Sequence, residues 1–263
     1  GAGMLDVKKA LDEADGDAEK AIEIIRVKGL KGIAKREGRS ATAGLIAAKV
    51  VEDGGSQVGV LVEVNAETDF VAKNEKFIDF AAKVLDAAIA SGAQTAEELA
   101  EAVADGGSVK ELTDSMQAVI GEKIVVRRVA RLAAPRVDTY LHRTNPDLPA
   151  QVAVLVGTDE AAAEVAHDIA MHIAAYSPLY LAREDVPEET VAKERAIAEE
   201  TTRAEGKPEK AIPKIVEGRL SGFFKENVLV DQAFAKDPKT TVGKVVEATG
   251  GELTGFVRFR VGA

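Results

Sequence analysis

The stretch Val58-Gly59-Val60-Leu61-Val62-Glu63-Val64-Asn65-Ala66-Glu67-Thr68-Asp69-Phe70-Val71-Ala72-Lys73-Asn74 decides how the chain is read. Its first half is rich in β-branched residues and predicts a strand over 58–64. The strand stops at Asn65, and helical periodicity follows. Thr68 and Asp69 suit a helix start, where a side-chain oxygen can accept from N–H groups that lack an intrahelical partner. A carboxylate there also suits the positive end of the helix dipole. Phe70, Phe77 and Val84 recur at heptad spacing, and Ala81, Leu85, Ala88 and Ile89 fill the same side. Periodicity therefore buries Phe70, in the first turn of a helix that Gly92 ends.

The pattern extends outward on both sides. Leu45 to Val51 predicts a partner strand, joined through the turn Glu52-Asp53-Gly54-Gly55. Downstream, two short helices are expected over 95–104 and 108–120, then a β-rich run from Ile124 to Leu132. Val60-Leu61-Val62 has an echo in Val154-Leu155-Val156. Phe80, Ala81, Val84 and Ala88 have an echo in Val165, Ala166, Ile169 and Ile173. An internal duplication of a strand–helix module accounts for both, the alternative being coincidence among Ala- and Val-rich stretches.

The remaining segments read differently. Residues 1–30 form two short helices. Leu5, Ala10, Leu11 and Ala14 make one apolar face; Ala21, Ile22, Ile24 and Ile25 make the other. Asp17 caps the second helix and Gly29 ends it. Lys28, Lys31, Lys35, Arg36 and Arg39 face Glu37 alone, which suggests an exposed linker or short helix. Over 187–226, two polar helices flank Gly206-Lys207-Pro208, the tip of a helical hairpin. Its apolar stripe is thin (Val191, Ala198, Ile212, Ile215, Val216, Phe223), so it should project from the body. Pro213 bends the second arm or delays its start. The end reads as a helix from Val242 to Ala248, a turn at Gly250-Gly251 and a strand from Gly255 to Val261 returning to the second sheet.

Composition excludes several chemistries. The 263 residues carry 34 Lys and Arg against 44 Asp and Glu, a net charge of −10. That acidic balance argues against a general nucleic-acid binder. No cysteine is present, so disulfides, thiolate metal sites and a cysteine nucleophile are absent. No apolar run is long enough to span a membrane, and the start lacks the features of a signal peptide, so a cytoplasmic location is expected. The three histidines, His142, His167 and His172, show no metal-ligand spacing. Gly218-Arg219-Leu220-Ser221-Gly222 is not a nucleophile elbow, and there is no phosphate-cradling or dinucleotide-binding glycine loop. No enzyme activity, cofactor, metal or nucleotide of its own is expected.

Thr68-Asp69-Phe70-Val71, in its setting, resembles the signature of the elongation factor Ts family, the guanine-nucleotide exchange factors of elongation factor Tu. Other stretches are also similar, in family order along the whole chain. They are Gly1-Ala2-Gly3-Met4-Leu5-Asp6-Val7-Lys8, Ile120-Gly121-Glu122 through Arg127-Arg128-Val129-Ala130, Ala170-Met171-His172-Ile173, Val216-Glu217-Gly218-Arg219-Leu220 and Thr254-Gly255-Phe256-Val257. The resemblance implies an α+β fold with a small N-terminal helical, UBA-like domain, truncated here before its leading helix. It further implies a core of two related α/β subdomains with antiparallel sheets, and an inserted helical hairpin, or coiled coil. Mapped onto this chain, these are 1–40 including the basic linker, 41–134, 135–184 with 229–263, and 185–228.

The resemblance also implies site residues. Thr68, Asp69, Phe70 and Val71 would push into the partner's G domain and dislodge its Mg²⁺, with Phe70 as a wedge and Asp69 near the metal without coordinating it. Met4, Leu5 and Lys8 would contact a G-domain helix. Ile120 and Gly121 would make a further contact, and His142 would meet another domain of the partner; a plain surface histidine is the other reading of His142. A scaffold that docks on a translation protein without driving release is the alternative function. Three departures stand out: the sequence starts inside the N-terminal signature, it stops at Ala263 where longer members continue, and Ala66 stands where many members have a small polar or sulfur residue.

Overall fold

Gly54 and Gly55 adopt φ of +57° and +91°, the left-handed pair that a two-residue hairpin turn requires. They join β1 (Ala43–Asp53) to β2 (Ser56–Ala66), with Asp53 opposite Ser56. The computed structural model describes residues 3–263; Gly1 and Ala2, the first two residues of the N-terminal signature, lie outside the described residues. β5 (Val125–Ala134) pairs antiparallel on the other edge of β2, so β2 is central and buried from Val58 to Ala66.

Strand period two then assigns two faces to β2. Val58, Val60, Val62 and Val64 pack against α4 (Glu75–Ser91), through Phe77, Phe80, Ala81, Val84 and Ala88. Leu61 points the other way, into a layer shared with a second sheet. That sheet has the order β6 (Arg136–His142), β7 (Val152–Thr158), β8 (Leu253–Arg260), all antiparallel, with every residue of β7 buried. Val154 and Val156 face α7 (Ala166–Tyr176), packing with Ile169 and Ile173, while Leu155 meets Leu61, Ile46 and Phe259. The echo is thus in structural register. Each unit runs hairpin, helix, return strand, and the two sheets pack face to face with their helices outside. Gly59 permits this approach: a Cβ there would stand 2.8 Å from Leu155 Cδ2.

Upstream, α1 (Met4–Glu13) and α2 (Ala18–Arg36) pack through Ala10, Ala14 and Ala21, with Leu11, Ile24 and Ile25 at the margin. Leu5 and Ile22, expected on the apolar faces, are exposed. Gly29 does not end α2, and residues 28–36 are helix, not linker. Packing overrides the glycine here. Gly29 lies against α6 (Val109–Ile120), where a Cβ would come 2.7 Å from Ala118 Cβ, and Arg36 Nη1 donates to Gln117 O at 3.3 Å. Asp17 caps α2 as expected, accepting from Glu19 N and Lys20 N.

The expected 95–104 helix is shorter, α5 (Ala96–Glu101), and is followed by a small hairpin, β3 (Val103–Ala104) with β4 (Gly107–Ser108). Further along, α8 (Glu188–Ala204) packs chiefly on α9 (Ile212–Asn227) around Ala198, Ile212 and Val216. Pro213 is in the first turn of α9, where it costs no intrahelical hydrogen bond. α10 (Val242–Glu247) precedes β8, which returns to β7 as expected. Among the described residues, no helix is long and apolar enough to cross a membrane.

Candidate functional site

Where β2 ends, Thr68 is extended (φ −132°, ψ 156°) and its Oγ1 accepts from Val71 N at 3.4 Å. The result is α3 (Asp69–Ala72), a single turn. Asn74 is extended again and caps α4 through Lys76 N. Two caps six residues apart break the helix that periodicity predicted as continuous, so the Phe77–Val84 stripe does not reach Phe70. Phe70 is 78% exposed, which corrects the expectation of burial. Val71 and Ala72 turn inward instead, Val71 against the α4 core. Asp69 is exposed beside Phe70, and Lys73 Nζ lies 5.3 Å from the Phe70 ring centroid.

A phenylalanine in water at a helix corner gains nothing from folding. Its backbone is nonetheless held firmly. Glu67 Oε1 accepts from Lys123 N at 2.9 Å and pairs with Arg39 at 3.4 Å. The short helix is therefore tied to the turn between α6 and β5.

The other candidates fall into two places. Met4 and Leu5 are 90% and 74% exposed, and Lys8 lies one turn along α1 on the same side. Ile120 is half-buried and Gly121, at φ +81°, is the left-handed cap of α6. Ile120 and Gly121 share a cleft of about 270 Å³ with Asp6 of α1 and Ile25 and Gly29 of α2, while Met4, Leu5 and Lys8 lie outside its lining. His142 lies elsewhere, at the end of β6. It is exposed, its Nδ1 is 2.9 Å from Tyr140 Oη, and it lines a groove of about 540 Å³ with Asp168, Met171, His172 and Lys236. Among the described residues, no cluster of His, Asp and Glu could hold a metal ion.

Residues 67–263 match the family described as Elongation factor TS. The elongation factor Ts of Beutenbergia cavernae is 69% identical over 265 residues, covering 100% of this chain and 94% of that protein. Those of Micrococcus luteus and Renibacterium salmoninarum are 63% and 62% identical, with the same coverage. The chain belongs to the elongation factor Ts family.

For this elongation factor Ts family member, one site residue escaped the sequence reading in its detail. His172, read only as a plain core or surface histidine, is fully buried beneath the groove. Its Nδ1 accepts from Ala235 N at 3.0 Å, so Nε2 carries the proton and donates to Gln232 Oε1 at 2.8 Å. Tyr176 stacks on the ring at 4.8 Å. Both partners lie some sixty residues away in sequence, where no local pattern reveals them. Burial lowers the His172 pKa, and the Gln232 hydrogen bond only partly opposes it.

Below about pH 6.5 the unfolded chain binds a proton at His172 that the folded chain refuses, so stability falls as pH drops through that range. His172→Asn, which cannot titrate, should start less stable but lose less of its urea midpoint between about pH 7.5 and about pH 5.5. Equal losses in the two proteins would contradict this.

Proposed function

We propose that this chain is a guanine-nucleotide exchange factor for elongation factor Tu. The observation that carries the reading is Phe70, a large apolar side chain 78% exposed on a one-turn helix whose caps hold it outward. Such an aromatic stabilises nothing in the free chain and is suited to a pocket on a partner. An exchange factor must bind the nucleotide-free partner more tightly than the nucleotide-bound one. By linkage, its binding then weakens nucleotide and Mg²⁺ by the same factor.

In this mechanism the turn Thr68-Asp69-Phe70-Val71 docks against the G domain, Phe70 as a wedge and Asp69 beside the metal site, while Thr68 caps the turn and Val71 holds it to the α4 core. Displacing Mg²⁺ removes the ion that neutralises the phosphates, and GDP leaves. Met4, Leu5 and Lys8, with Ile120 and Gly121, form a second contact, and His142 a third on another domain of the partner. The metal and nucleotide belong to the partner; the chain supplies no catalytic group, acts in the cytoplasm and binds no nucleic acid directly.

The domain division that fits this reading has a UBA-like helical pair with its basic tail within 1–40, core units over 41–134 and over 135–184 with 229–263, and a coiled-coil insertion over 185–228. α8 packs chiefly on α9, which supports the insertion. Replacing 192–218 by a short Gly/Ser linker should leave the far-ultraviolet circular dichroism of the remaining fold and its cooperative melt intact. Loss of the cooperative melt would refute the insertion.

The function is tested by following labelled GDP leaving elongation factor Tu. Faster release with the chain present is expected. Stable binding to elongation factor Tu without faster release would favour the scaffold instead.

A further inference from the structure

Glu122 lies one residue beyond the left-handed cap of α6, and its carboxylate accepts three hydrogen bonds from the loop that precedes Asp69. Oε1 accepts from the backbone N–H groups of Glu67 and Thr68, each at 3.1 Å. Oε2 accepts from the Thr68 hydroxyl at 2.8 Å. That hydroxyl has one proton, and Glu122 takes it. The lone pairs of Thr68 Oγ1 are therefore left facing Val71 N, the bond that starts α3. Glu67 reaches back in the opposite direction to Lys123 N, so the two segments exchange carboxylates.

We propose that Glu122 is the positioning residue of the exchange site, fixing the direction in which Asp69 and Phe70 are presented; this rests on the exchange reading above. A single turn of helix has no cooperative stability of its own, so its orientation is set by its anchors: Val71 and Ala72 on the core side and the bonds at its entry. Asp69 and Phe70 are exposed and do not anchor it. Glu122 imposes the orientation through two backbone bonds and the cap hydroxyl, all assisted by its charge. Without it, the loop must be ordered by the partner during binding, and affinity falls. The chemistry of displacement, carried by Asp69 and Phe70, is unchanged once the complex has formed.

The test separates concentration dependence from maximal rate. With labelled GDP release from elongation factor Tu, Glu122→Ala should raise the half-saturating concentration of the chain roughly 10-fold and leave the maximal rate within about twofold. Glu122→Gln keeps an acceptor oxygen for both N–H groups and offers its amide to the Thr68 hydroxyl, so it should stay within about threefold of wild type. Glu122→Gln should melt close to wild type, and Glu122→Ala should melt cooperatively a few degrees lower, since it leaves the Glu67 and Thr68 N–H groups without their acceptor. If Glu122→Ala does not fold, Glu122→Asp, one methylene too short, should show the same split. An unchanged half-saturating concentration in the truncated variant, or a Gln variant as impaired as the Ala variant, would overturn the proposal. Amide hydrogen exchange at Glu67 and Thr68 in the free chain provides an arm independent of the partner. It should quicken in Glu122→Ala, and unchanged protection there counts against the clamp. Failure of the wild-type chain to speed GDP release would instead remove the exchange reading and leave the amide arm to decide the clamp.

Discussion

Phe70→Ala is expected to cut stimulated GDP release at least roughly 30-fold at subsaturating chain, the equivalent of about 2 kcal/mol for a buried aromatic anchor. Its own stability should not change by more than about 0.5 kcal/mol, because surface substitutions away from caps and cores have little effect. The ring is 78% exposed, and the solvated ammonium of Lys73 lies 5.3 Å from its centroid. A large functional loss at constant melting temperature separates an interface residue from a structural one. If Phe70→Ala also melted early, the ring would be supporting the fold, and the wedge reading would weaken.

Phe77→Ala is the opposite case, seven residues along the same sequence pattern. Phe77 is fully buried between α4 and β2, against Val60, Val62 and Val64. Truncation removes a ring from a packed layer and leaves a cavity, costing about 3–5 kcal/mol. For a chain of this length that lowers the melting temperature by roughly 10 °C. The exchange rate per folded molecule should stay near wild type at low temperature, since Phe77 does not reach the exposed surface. A calorimetric scan checks this. A fall of only 1–2 °C would mean that the layer can collapse around the gap.

The contrast between these two residues shows what was legible in the sequence. The strand over 58–64 and the α4 stripe of Phe77, Ala81, Val84, Leu85 and Ala88 were readable, because β-branched composition and helical spacing are local signals. The echo at Val154-Leu155-Val156 was readable for the same reason, and its register holds down to the inward-facing Leu61 and Leu155. The return of β8 to β7 followed from the dense β-forming end and the turn before it.

What failed was a matter of phase and of distance. Phe70 lies on the stripe by arithmetic, but Asn74 restarts the helix, and a side chain's direction cannot be carried across a restart. Asn74 was the available signal, as a strong cap residue followed by Glu75. Gly29 was read as a helix end because its local propensity says so; only contact with Ala118, far along the chain, makes a glycine necessary inside α2. The Glu122 carboxylate and the His172 partners were hidden for the same reason, since hydrogen bonds between distant segments leave no periodic trace. The site residues themselves were reached through family resemblance. The residues alone pointed to a buried Phe70.

Whether Asp69 and Phe70 on their one-turn helix drive nucleotide release can be read from a single comparison. Release of labelled GDP from elongation factor Tu would be timed alone, with the wild-type chain, and with the Asp69→Ala, Phe70→Ala double variant at equal folded concentration. Release should be fast with wild type and near the unassisted rate with the double variant. Fast release with the double variant, or no acceleration by wild type, would contradict it.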